Sequence, residues 1–151
     1  MRFIAIATLF ASISAFACPD LSGTYTACRS QTGNTAGSTD VVITQAIQNK
    51  VTTYSITSTD PDTNERKTEL YRADGRLVSE TITDPDSGMT ISMSSVVKCV
   101  NNTVNMNMKV VMAGQPVANV TTVMSKANKQ LTMKMTGKNF DEPINETLIC
   151  E

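Results

Sequence analysis

Beyond residue 20 the chain alternates apolar and polar residues with a period of two, in runs of seven to eleven residues separated by short polar breaks. Such alternation places successive side chains on opposite faces of an extended backbone, so each run reads as a strand with one face buried. The pattern predicts ten strands, over 22–29, 39–48, 51–59, 66–72, 76–82, 89–99, 103–113, 117–126, 129–137 and 144–150. The breaks include "NK", "DPDTNE", "ADG", "DPDSG", "VNN", "AGQP" and "ANK", nearly all of hairpin length and rich in turn residues. Consecutive strands joined by hairpins form an antiparallel meander. No segment carries a 3.6-residue apolar stripe, so helices are few or absent.

A flat sheet of that many strands would expose two hydrogen-bonding edges and one apolar face. Closing it into an up-and-down β-barrel of about eight to ten strands removes both, with a flattened sandwich as the structural rival. The inward set reads Met89, Ile91, Met93 and Val97, then Val104, Met106, Met108, Val110 and Met112, then Ala118, Val120 and Met124, then Leu131, Met133 and Met135. Earlier strands add Val41, Ile43, Ile47, Tyr54, Ile56 and Leu70. The opposite face is threonine, serine, asparagine and lysine, which suits water and disfavours the apolar outer band of a membrane barrel.

The eight methionines after the initiator all fall between Met89 and Met135. Thioethers bind Cu(I), but no histidine or free thiol assists here and valines and isoleucines share the face. Core packing accounts for them, or a cavity whose unbranched, polarizable walls adapt to an apolar guest.

Residues 1–17, "MRFIAIATLFASISAFA", combine an early Arg2, an apolar run and a small-x-small ending, which predicts a secretory signal peptide followed by a single domain over 18–151. Export to a periplasmic or secreted location brings an oxidising compartment, so Cys18, Cys28, Cys99 and Cys150 are expected as two disulfides. Their even number favours this over lipid anchoring through Cys18. If 22–28 is extended, Cys18 and Cys28 lie beyond the roughly 7 Å reach of a bridge unless the leading segment folds back, so long-range pairs to Cys99 and Cys150 are open alongside local pairing.

Removing Arg2 with the leader leaves 12 basic against 14 acidic residues, a formal charge of −2 that offers nucleic acid no general attraction. The charge is uneven. Thr103 to Phe140 holds five lysines and no acid, and Asp40 to Asp86 holds nine acids. These read as solvated faces and turns, with a basic flank for an anionic partner as the alternative.

Candidate chemistry is sparse. No histidine is present, which removes the Ser-His-Asp and Cys-His units, and zinc has no C-x-x-C pair. Asp60, Asp62 and Asn64 alternate like calcium ligands, but Glu65 stands where the loop needs glycine and Tyr71 where it needs the bidentate acid, so turn chemistry is the better reading. Glu146 is the one carboxylate that alternates with inward positions, although an exposed polar face of a last strand explains it more simply. The Asn101, Asn119 and Asn145 sequons matter only in a eukaryotic secretory pathway. The polar stretch 30–40 reads as a loop or flap over a barrel mouth. Neither enzyme activity nor a cofactor is expected.

The segment "LSGTY", Leu21 to Tyr25, resembles the first-strand G-x-W signature of the lipocalin and wider calycin families, with Tyr25 in place of the tryptophan. The resemblance implies a closed antiparallel barrel around a small hydrophobic ligand, with Tyr25 across the closed end. Ligand-lining candidates are then Tyr25, Tyr54, Met89, Met93, Met106, Met108, Met112, Met124, Met133 and Met135. The alternative is an envelope interaction module or inhibitor with a solid core and an unknown protein partner.

Overall fold

A computed structural model describes residues 18–31, 39–60, 63–85 and 87–151. The leader, most of the 30–40 loop and the central part of the first T-D-P-D turn, Asp62 included, lie outside the described residues. Ten strands follow one another: β1 (Gly23–Ser30), β2 (Thr39–Gln48), β3 (Val51–Thr59), β4 (Arg66–Arg72), β5 (Leu77–Thr83), β6 (Thr90–Val100), β7 (Thr103–Met112), β8 (Gln115–Ala127), β9 (Gln130–Asn139) and β10 (Glu142–Cys150). All pairing is antiparallel in one sheet ordered β4-β3-β2-β1-β10-β9-β8-β7-β6-β5, curled into a half-barrel.

Four hairpin turns explain why the meander folds so tightly. Asn49 and Lys50, Asn101 and Asn102, Ala113 and Gly114, and Asn128 and Lys129 all take positive φ. Two consecutive left-handed residues make the type I′ turn, whose twist matches that of the flanking strands, and asparagine tolerates it better than other residues with a Cβ.

Closing a ten-strand meander needs ten ladders. Nine are made among the described residues, including β1 against β10; the missing one is β4 against β5. The β4–β5 connection shows why. Ala73 donates its amide to the Thr52 carbonyl on β3, and Gly75 donates to the Val97 carbonyl on β6, at 2.8 and 2.9 Å. Each half of the connection is tied to a strand on its own side, so β4 and β5 splay from it instead of zipping together.

The core fills one end of the concavity. Tyr25, Tyr54, Ile43, Val104, Met124 and Leu131 are buried there with Leu21 from the leading segment. That segment acts as a plug. Cys18 is bridged to Cys99 on β6, the Pro19 carbonyl accepts from the Tyr54 hydroxyl on β3, and the Ser22 carbonyl accepts from Lys126 Nζ on β8. Contacts to three separated strands mean the plug spans the barrel end. Burying Leu21 completely contributes about 2 kcal/mol. The second bridge, Cys28–Cys150, staples β1 to β10 where the β1 ladder is interrupted by a bulge at Thr26 and Ala27.

The phase expected for β4 is corrected. Leu70 is 72% exposed and lies opposite Ser55 on the convex face, whereas Tyr71 and Glu69 lie opposite Tyr54 and Ile56 on the concave face. Ile47 keeps the inward parity but sits at the strand end, exposed. Register also places Glu146 inward, in a row with Met135, Thr122 and Met106, because directly opposed residues share a face.

Candidate functional site

Splaying at the β4–β5 seam leaves a cavity of about 170 Å³ in the concave wall. Its apolar lining comes from Val78 on β5, Met93 on β6, Met106 and Met108 on β7 and the ring of Tyr71 on β4, with Ser94 and Ser95 between them. The ladders explain the convergence. Ser95 pairs with Met108 and Val97 with Met106, so alternate positions of β6 and β7 form one continuous wall. Met106 is 9% exposed and Met108 38%, which grades the wall from core to opening.

Glu69 and Glu80 complete the lining at the two sides of the seam. Glu69 is held in place: it accepts from the Tyr71 hydroxyl and pairs with Lys67 at 2.6 Å. The Lys67 hydrogen bond and then the Tyr71 hydroxyl hold its carboxyl below the usual carboxylate range. Burial, followed by the adjacent Glu69, pushes the Tyr71 phenol above its ordinary value. Tyr71 is therefore a fixed, neutral donor and its ring orientation is set. Among the described residues Glu80 has no hydrogen-bond or ion-pair partner, and it is exposed at the mouth.

Of the ten residues singled out from the sequence, Met93, Met106 and Met108 meet in this cavity. Tyr25, Tyr54 and Met124 belong to the solid end, and Met133 packs against them. The Tyr25 hydroxyl donates to the Leu21 carbonyl at 2.7 Å, and Lys126 sits 5.9 Å from the Tyr25 ring centre, so Tyr25 braces the plugged end. Burial, and secondarily the Asp20 charge, push the Tyr54 phenol up to about 12. Met112 and Met135 lie in concave rows beyond the cavity, and Met89 is exposed before β6.

Sequence reading missed Tyr71, Glu69, Glu80 and Val78. The parity of Val78 with Ile82, and of Tyr71 with Ala73, carries the signal.

Two further cavities of about 220 Å³, one around Arg29 and Ile149 and one around Asn49 and Arg72, have a more polar lining; the seam cavity is itself open to solvent. Among the described residues no group of three or more histidine, cysteine, aspartate or glutamate side chains is placed to hold a metal ion. In the T-D-P-D turns, Asp60 Oδ1 accepts from the Thr63 amide and Asp84 Oδ2 from the Ser87 hydroxyl, which is turn-building chemistry. No described helix is long and apolar enough to cross a membrane. Compared with protein-family models, curated proteins and solved structures, the chain matches none.

Proposed function

We propose that this is an exported, lipocalin-like, non-catalytic carrier that takes a small hydrophobic molecule into the concave face of its half-barrel. The observation that carries the reading is the contrast between the two regions of the concavity. One end is filled by buried side chains and a disulfide-tethered plug, while the seam keeps a methionine-lined space the size of a single ring. Two disulfides and no free cysteine suit an oxidising compartment, and the first 17 residues are the segment that export would remove.

Titrating the oxidised protein with toluene, a neutral single ring, while following the methyl resonances of its methionines tests it. Saturable shifts of Met93 and Met106 that Met108→Trp abolishes, with its unfolding midpoint retained, are the expected result. A linear, unsaturable response in the wild-type protein would remove the reading.

The second reading, an interaction module, draws on the two unladdered edges and on Leu70 and Leu77, which stand exposed beside them. It predicts partner capture that is lost when proline is placed on the outer edge of β5, with no toluene uptake.

A further inference from the structure

The charged side chains of β5 to β10 are sorted by face. Glu80, Glu142 and Glu146 occupy concave rows, whereas Lys98, Lys109, Lys134 and Lys138 occupy convex rows. The fifth lysine of these strands, Lys126, is concave but engaged with the Ser22 carbonyl and the Tyr25 ring at the plug. On β4 the concave cation, Lys67, is paired with Glu69. On the concave side of these strands free charge is thus negative, and among the described residues the carboxylate of Glu80 stands without a partner at the mouth of the seam cavity.

Resting on the carrier reading above, we infer that the guest of the seam cavity is an organic ammonium, a single apolar ring or short chain bearing one protonated amine. Its apolar part fits against Val78, Met93, Met106 and Met108, in a space of about 170 Å³. A cavity of about that size holds one benzene ring. Its ammonium group reaches Glu80 on one side and the face of Tyr71 on the other. A phenol that donates to a carboxylate has an electron-rich ring, which favours a cation on its face. An anionic guest meets two carboxylates and no free cation.

The matched probes are 2-phenylethylammonium and 2-phenylethanol, which differ in the charged group. Binding is read from the methyl resonances of methionines labelled with carbon-13. An exposed ion pair with a cation–π contact is worth about five- to tenfold in affinity. The ammonium is expected to bind tighter than the alcohol by that factor and to shift Met93, Met106 and Met108. Glu80→Gln should cut the ratio to about twofold, the part that the Tyr71 face supplies, and Glu146→Gln, a concave carboxylate outside the cavity, should leave it unchanged. Equal binding of both probes, or a preference that Glu80→Gln leaves undiminished, overturns the inference and leaves an apolar carrier standing. Failure of both probes to bind overturns the carrier reading with it.

Discussion

Removing the Cys18–Cys99 bridge tests whether that tie stabilises the fold by constraining the unfolded chain. The bridge spans 81 residues of sequence, but Cys28–Cys150 is also closed, spanning 122. The shortest loop that Cys18–Cys99 adds therefore runs from 18 to 28, across the second bridge, and back from 150 to 99, roughly 60 residues, for which chain entropy gives about 4 kcal/mol. A domain of this size is stable by about 5–15 kcal/mol, so the Cys18→Ser/Cys99→Ser protein should fold but with a large deficit. Urea unfolding followed by tyrosine fluorescence reads it. With a slope of about 1.5–2 kcal/mol per molar, the midpoint should fall by about 2–3 M. The remaining ties, Tyr54 to Pro19, Tyr25 to Leu21 and Lys126 to Ser22, keep the plug docked in the folded state. A deficit below about 1 kcal/mol would refute the reasoning, because the unfolded chain would then already hold the two ends together without the bridge.

Other expectations follow from single positions. Gly137→Ala would set a Cβ 2.0 Å from the Asn119 carbonyl oxygen on β8, at a φ of +144°. Because the atoms it would meet are β8 backbone, which cannot swing away, it should lower stability by about 3 kcal/mol or more in calorimetry, whereas Gly114→Asn, in an open turn, should stay within about 1 kcal/mol. Leu70→Thr should change the urea midpoint by no more than about 0.5 kcal/mol equivalent, while Tyr71→Ala loses about 2–4; the reverse order would restore the inward phase for Leu70. Folding pushes the Tyr54 phenol from its ordinary 10.0 up to about 12, so its contribution is complete below pH 10 and is lost as pH rises towards 12. Stability measured across that window should fall less steeply in Tyr54→Phe, and tyrosinate absorbance should show one late-titrating group that the variant lacks.

All ten strands were legible from the chain because the information that sets them is local. Alternation fixes each run, and the Asn-Lys, Asn-Asn and Ala-Gly pairs at 49–50, 101–102 and 113–114 mark where the chain reverses, so the observed boundaries fall within two residues of the expected ones. The fault lay at β4, where a single large aliphatic residue, Leu70, drew the inward assignment. What decides the phase is not hydrophobicity alone but satisfaction across the ladder: Tyr71 meets buried Tyr54, and Glu69 turns inward with its charge met by Lys67 and its oxygen by Tyr71. The pairing of the cysteines was likewise outside local pattern. Cys18 finds Cys99 through the path of the plug, and Cys28 finds Cys150 because the first and last strands are neighbours.

The plug and the seam are two consequences of how the ends of the meander are tied. Pairing β1 with β10 uses the first and last strands for each other and pulls residues 18–22 across the barrel end, where Leu21 and the two tyrosines make a solid floor. Thr52 and Val97, which take the amides of the β4–β5 connection, are themselves buried in that end. The connection is therefore anchored to the floor, and β4 and β5 leave it held by different neighbours. A tight β4–β5 hairpin would require Ala73 and Gly75 to release those acceptors, leaving buried carbonyls unpaired at about 1–3 kcal/mol each. The floor that stabilises one end of the molecule thus also keeps the opposite wall parted, which is where the methionines, Tyr71 and Glu80 come together.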